Sequence, residues 1–502
     1  MRTLSSFVGL GLVVAVASGC SIEGLSSESK PAPAPAGGGA STPDPMTDPM
    51  APAPKPAAGM AMARIVHGSP DAPRVDVYVK GGGKEPIASG LAYGDTSKWV
   101  EVPAAEYEFE VRASPSTASS PVVYTTSKVT LPEGGHMTAV AAGLLAGKTP
   151  DTAFRVIPLH EKYDAAAAGT ARARVLHASA DAPTVGLDVG SDDFANPDVD
   201  GLDRYTDTGP AGIELPADTA LSIGIAAAGK RVTSFTTPKI PEGADVLVVA
   251  TGLVGRLARE KSGFALLAVG PSGSIGFVKQ DPIVYALHAS PDAPTVDAFV
   301  GAAEIVDNLA FGQISAPIQV APGAYGIDFF GHVDGASRPS GAAAATASSG
   351  KLEAGERYLA IATGFLGQPS QPFRLAGYRE AFATAGAGPR LRAIHASPDA
   401  PQVDIGLASG NALSPVLFKG LAFGGASAED GLSATASSLP IGIAAAGSTS
   451  GLVARFTVPA VDQQRAFVVA AGSLAHVNGR GLRFLVVDTA QSPWTVSTIL
   501  PH

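Results

Sequence analysis

The sequence predicts an all-β protein: four tandem immunoglobulin-like antiparallel β-sandwich domains behind a disordered N-terminal tether. Three observations carry this. The 502 residues include 59 Gly and 41 Pro, a density of helix breakers that excludes a mainly helical fold. One eight-residue pattern recurs four times at domain-sized intervals. The segments after it alternate apolar and polar residues with period two, the pattern of half-buried strands.

Met1 to Cys20 has the layout of a secretory signal: Arg2 supplies charge, Phe7 to Ala17 a short apolar stretch, and Ala17-Ser18-Gly19 the small residues before a cleavage point. Residues 1–19 are therefore read as a signal peptide. A membrane span needs about 20 apolar residues, and neither this stretch nor any later one supplies such a run. Cys20 is the only cysteine of the chain, which excludes an internal disulfide and a Cys-rich metal cluster. Its place directly after the small residues resembles the lipobox of bacterial lipoproteins, with Ala17 where Leu is usual. The resemblance implies a fatty-acylated Cys20, of the palmitate type, as membrane anchor; a chance Cys beside a plain cleavage site is the alternative. Ser21 rather than Asp after the Cys resembles lipoproteins passed on to the outer membrane, so the expected address is the cell envelope, on the periplasmic or surface face. Residues 20–61 then form the lipidated Cys and a Pro/Ala-rich linker, with nine prolines from Pro31 to Pro56 and too few large apolar residues for a core.

The recurring pattern is Val66-His67-Gly68-Ser69-Pro70-Asp71-Ala72-Pro73, which returns around His177, His288 and His395 at spacings of 110, 111 and 107 residues. Units of that size are domains, not solenoid repeats. The predicted domains are residues 62–160, 171–270, 282–379 and 390–490. Other landmarks keep phase: a Gly/Asn-Leu step at Gly90-Leu91, Gly201-Leu202, Asn308-Leu309 and Gly420-Leu421, and an apolar run ending in Gly143, Gly252, Gly364 and Gly472. Repeats two and four share Ile-Gly-Ile-Ala-Ala-Ala-Gly, from Ile223 and Ile441, whereas repeats one and three do not. The simplest account is duplication of a two-domain unit, pairing repeats one with two and three with four.

Repeat one reads as seven short strands: 64–66, 75–79, 97–102, 107–113, 122–129, 136–142 and 154–157. Val75, Val77, Val79, Tyr107, Phe109 and Val111 are expected on buried faces, with the intervening charges facing water. About a hundred residues and seven strands suit a sandwich; a jelly roll or small barrel is the alternative. Gly81-Gly82-Gly83 reads as a hairpin loop, and Gly331 to Gly350 as a long loop of a kind that is either mobile or used for binding.

The His-x-Ser-Pro-Asp-Ala-Pro-x-Val-Asp stretch with its alternating strand resembles the bacterial domain-of-unknown-function family numbered 4397, across all four repeats. The resemblance implies secreted or lipid-anchored tandem β domains and no established activity.

Two constellations could carry chemistry. The first is the repeated motif: His67 with Asp71 and Asp76, His177 with Asp181, His288 with Asp292 and Asp297, His395 with Asp399 and Asp404. His and carboxylate suit a divalent metal or acid/base catalysis, and Ser69 adds the residue types of a hydrolase triad. The structural reading, in which His ends a strand and Asp caps the loop, is preferred. Four copies, the prolines, and the persistence of the loop where repeat two carries Gly186 in place of the second Asp all favour scaffold. The second is Asn196-Pro197-Asp198-Val199-Asp200-Gly201 with Asp207 at the twelfth place, which fits the opening of a calcium loop. No other cofactor is suggested. Against calcium, the twelfth residue is not Glu, no helix flanks the loop, and Gly201 already belongs to the repeat-wide landmark.

A net charge of −10 without a basic block leaves nucleic acid no electrostatic grip. The expected function is a non-enzymatic cell-envelope lipoprotein that binds an unidentified envelope polymer, polysaccharide or protein, for adhesion or attachment. The alternatives are an envelope glycan or peptide hydrolase, which would need one repeat to hold acids the others lack, and a pure spacer.

Overall fold

The structure, a computed structural model, describes residues 48–190, 193–335, 337–384, 386 and 388–502. The signal peptide, Cys20 and most of the tether lie outside the described residues. Among the described residues the protein is all-β, with one 3-10 turn at Val477–Gly479 and no helix long and apolar enough to cross a membrane.

Repeat one contains β1 (Met60–His67), β2 (Val75–Val79), β3 (Ala88–Leu91), β4 (Val100–Pro103), β5 (Glu106–Tyr107), β6 (Phe109–Ala113), β7 (Tyr124–Thr125), β8 (Val129–Thr130), β9 (His136–Ala142) and β10 (Arg155–Glu161). They form an inner sheet ordered β10-β9-β1-β4 and an outer sheet ordered β3-β2-β6-β7. The two sheets close on one core in which Ile65, Val75, Val77, Phe109, Val111 and Met137 meet. Each large side chain so buried contributes about 1.5–3 kcal/mol. The other repeats reproduce the inner and outer sheets.

Several expectations are refined. The landmark step Gly90-Leu91 lies in a strand, β3, paired to β2 through a bulge at which Gly90 takes a φ of 66°. The segment 122–129 is not one strand but two short pieces, β7 and β8, in different sheets. β1 runs parallel to β9, and the same parallel pairing joins the corresponding strands of the other three repeats, while the remaining pairings between named strands are antiparallel. Repeats two and four add a fifth inner strand, Ser274–Val278 and Thr495–Ile499, beyond the expected ends at 270 and 490. The end of the long loop in repeat three, from Ala345 on, belongs to the strand Ala345–Leu352. The end of the linker is engaged: the strand starts at Met60, Pro49 O accepts from Ser272 N at 3.0 Å, and His136 Nε2 donates to Pro54 O at 2.8 Å.

The inner sheets are covered on both faces. Alternate residues of β1 and β9 serve two cores: Ile65, Met137 and Ala139 face the outer sheet, whereas Val66, Val140 and Ala142 pack on Leu176, Leu247, Val249 and Leu267 of repeat two. A sheet buried on both faces reads as a continuous apolar run, which is the physical origin of the runs ending in Gly. Repeats three and four join the same way, through Tyr285, Leu287, Leu359 and Ile361 against Ile394, Phe467, Val469 and Leu485. Consecutive repeats are thus stacked face to face as one-with-two and three-with-four, four sheets deep in each pair. Hydrogen bonds repeat across both seams: Thr251 Oγ1 donates to Gly68 O at 2.6 Å, and Thr363 Oγ1 to Ala396 O at 2.8 Å. Arg64, only 2% exposed, is paired with Glu161 of its own repeat and crosses the first seam to Gly270 O, both at 2.7 Å. The pairs are tied to each other by polar contacts, including Arg259 of repeat two on the buried Glu380 and Ser234 on Asp281.

Candidate functional site

The repeated motif is a loop clasp. In each repeat the His, buried at the end of the first strand, donates from Nε2 to the carbonyl of the Pro six residues on: His67 to Pro73 O (3.0 Å), His177 to Pro183 O (2.9 Å), His288 to Pro294 O (2.8 Å) and His395 to Pro401 O (3.0 Å). The Ser hydroxyl donates to the carbonyl of the Gly that ends the apolar run: Ser69 to Gly143, Ser179 to Gly252, Ser290 to Gly364 and Ser397 to Gly472, at 2.7–2.8 Å. The Asp then accepts two backbone N–H groups of the next turn: Asp71 from Leu145 and Ala146, Asp181 from Val254 and Gly255, Asp292 from Leu366 and Gly367, Asp399 from Leu474 and Ala475. The His thus turns away from the Ser, whose proton goes to a carbonyl, so the three do not form the nucleophile–base–orienter line of a hydrolase.

Burial holds all four imidazoles below their ordinary pKa, although the Pro carbonyls pull the other way. The charges around them are Asp95 and Lys261 near His67, Arg204 and Asp203 near His177, and Arg480 near His288. The unfolded chain therefore takes up protons below about pH 6.5 that the folded chain refuses. The contribution of these four His to stability should be flat above that pH and fall as the pH drops through it, by up to about 1.4 kcal/mol per unit for each His. Urea midpoints measured between pH 7.5 and 5.5 test this; a His177→Asn variant with an undiminished slope would refute the assignment for that repeat.

The second Asp, expected in water, is buried. Asp76 is 3% exposed and ties the outer sheet together, accepting from Gly90 N at 2.7 Å, Ser116 N at 2.8 Å and Ser116 Oγ at 2.6 Å. Burial alone would raise its pKa, but these donors outweigh it and hold the carboxyl below the ordinary range. Asp404 ties its own outer sheet in the same way, accepting from Gly420 N and Gly447 N. This explains the Gly/Asn-Leu landmark: the residue before Leu has positive φ and aims its N–H at the carboxylate in repeats one, three and four. Arg112 is likewise buried, paired with Glu110.

The residues of the calcium reading are not brought together. Asp198 accepts from Val189 N at 2.7 Å, and Asp200 sits in the extended strand Val199–Leu202. Asp207 is held by Arg174 Nε at 2.7 Å and by Gly209 N at 2.8 Å. Asn196 donates to Asp193. A strand spreads its side chains where a calcium loop must converge them. Among the described residues the metal-competent group lies elsewhere, in repeat three: Asp297, Asp307 and His332, with ligand atoms all within 4.8 Å of one another. Asp297 is joined not to His288 but to His332, whose Nδ1 is 2.8 Å from Asp297 Oδ1 and 3.4 Å from Asp307 Oδ1. Asp334 approaches the other ring nitrogen at 3.4 Å. Asp297 also accepts from Asn308 N and Val333 N, which anchors it as Asp76 is anchored. The sequence signals were present but scattered: an Asp nine residues after the motif His, an Asp just before the Asn-Leu landmark, and Gly-His-Val-Asp at the start of the long loop.

Fold and clasp together define a class of tandem two-sheet β domains, each closed by a His-Ser-Asp loop lock and stacked in pairs. A family model described as a domain of unknown function, DUF4397, matches residues 61–188 and 283–406. The two matches together take in half of the chain, which belongs to this family. Each match starts at the first strand of a pair and runs into the second repeat of that pair. No protein in the curated comparison matches the chain. Among solved structures the Bacillus anthracis TIE protein matches at 10% identity with a TM-score of 0.13, covering 88% of this chain. The chain spans 65% of that protein's length, and a likeness at this level carries no argument.

Proposed function

We propose that this protein is a non-enzymatic cell-envelope lipoprotein, anchored through Cys20, whose paired β domains hold loops for binding an envelope polymer or protein. The observation that carries the reading is the state of the clasps: in all four repeats the Ser hydroxyl and both Asp oxygens are occupied by backbone groups of their own domain. Groups so committed serve shape, and a hydrolase would need them free. The face-to-face stacking also argues against a pure spacer, because folding consecutive domains onto each other shortens the reach that a spacer exists to provide. Two stacked pairs on one anchor favour avidity from weak sites.

The test has two arms. Cells expressing the full chain are fed an alkyne fatty acid; the chain should be labelled and the Cys20→Ser variant should not. The purified chain is then applied to isolated envelope polysaccharide and protein fractions, where saturable retention is expected. Equal labelling of the Cys20→Ser variant would refute the anchor, and turnover of an envelope glycan or peptide would refute the non-enzymatic reading.

A further inference from the structure

The outer sheet of repeat three differs from those of its sister repeats at one place. In repeats one and four the buried Asp meets only backbone groups and a Ser hydroxyl. In repeat three the equivalent Asp297 faces an imidazole, and two further acids stand around it. The bulge beside Asp307 is shared with repeats one and four, but the residue it presents differs: Asp307 stands where those repeats have Ser89 and Lys419. Glu304 pairs with Phe299 and so shares the face of Asp297, while the irregularity one turn on brings Asp307 to the same face. Glu304 interacts electrostatically with Asp297, Asp307 and His332, and its Oε1 is enclosed without a hydrogen-bond partner. An enclosed carboxylate oxygen with no donor, beside two more carboxylates, is an arrangement that a cation completes.

We propose that Asp297, Asp307 and His332 bind a divalent transition-type cation of the zinc or manganese class, with Glu304 in support. The donor atoms all lie within 4.8 Å of one another, with His332 Nδ1 at 2.8 Å from Asp297 and 3.4 Å from Asp307, separations of the size found between ligands that share one cation at bonds of about 2.1 Å. One imidazole nitrogen with carboxylate oxygens selects this class over calcium, which takes six to eight oxygens. Asp297 is fixed by two backbone N–H groups, whereas Asp307 and Asp334 are open to solvent. The rigid side of the site is therefore protein, and the outer side is free for water or for an oxygen-rich ligand group.

The experiment titrates zinc, manganese and calcium separately into the purified full-length chain, stripped with chelator, using calorimetry on wild type, Asp307→Asn and His332→Ala. One zinc or manganese per chain is expected at this site. Affinity should fall about ten-fold or more in both variants, and His502→Ala, a control for adventitious binding at an exposed His, should leave it unchanged. Asp307 is two-thirds exposed, so Asp307→Asn should keep the melting temperature of the metal-free chain and stays informative if His332→Ala fails to fold. Unaltered affinity in Asp307→Asn overturns the proposal. So does absence of binding at millimolar metal, or calcium binding more tightly than zinc and manganese.

Discussion

Phe467→Ala is expected to destabilise repeats three and four together, lowering their joint unfolding by about 3–5 kcal/mol. The ring is fully buried and lies 5.1 Å from Phe382 and 6.1 Å from Trp494, in the core that both repeats line. Removing it leaves a cavity between two stiff inner sheets, where relaxation is poor because each sheet is already packed on its other face. Phe456→Ala makes the contrast: that ring is equally buried but belongs to the core inside repeat four, stacked on Phe484. Calorimetry combined with hydrogen exchange separates the two. Phe467→Ala should raise exchange in Leu359–Thr363 of repeat three as much as in repeat four, and Phe456→Ala should act on repeat four first. Exchange in repeat three unchanged by Phe467→Ala would show that the seam contributes no stability.

Gly364→Ala should be nearly as damaging, at about 3 kcal/mol or more, although it adds a single methyl group. Gly364 has a φ of +87°, and a Cβ there would lie 2.2 Å from Pro372 O and 2.8 Å from its carbonyl carbon. Both obstacles are backbone, so nothing flexible can give way. The left-handed conformation alone costs a non-Gly residue about 1–2 kcal/mol, and Gly364's own carbonyl, which receives Ser290, would be displaced from the clasp. The equivalent glycines Gly143, Gly252 and Gly472 meet a backbone oxygen at 2.3 Å, so the effect should recur in every repeat. Gly326→Ala, at a site with nothing within 4 Å of the new Cβ, serves as the neutral control. Equal urea midpoints for Gly364→Ala and Gly326→Ala would refute the account.

These two residues mark how far sequence reasoning reaches. Gly364 was visible as the end of a recurring apolar run, but its necessity was not, because the oxygen it must clear belongs to Pro372, eight residues on across a bridge. Phe467 read as one residue of an apolar run, and only the stacking of two inner sheets shows which core it enters. Asp76 alternated with apolar neighbours and so read as solvent-facing; period two gives the face but not what covers it, and the cover here is Ser116, forty residues away. For the same reason Asp297 read with the nearby His288, while its partner His332 comes from the end of a strand that pairs beside it.

The sequence by itself determined the all-β class, the four domain-sized repeats and the grouping of repeats one with two and three with four. Those properties are written in local alternation, in breaker residues and in near-identical segments, which need no knowledge of the third dimension. Only the tertiary structure decided the parallel pairing of each first strand, the burial of the inner sheets on both faces, and the meeting of Asp297, Asp307 and His332. Each of these depends on which distant strand lies alongside, a choice made by the summed burial of whole faces rather than by any residue's own preference.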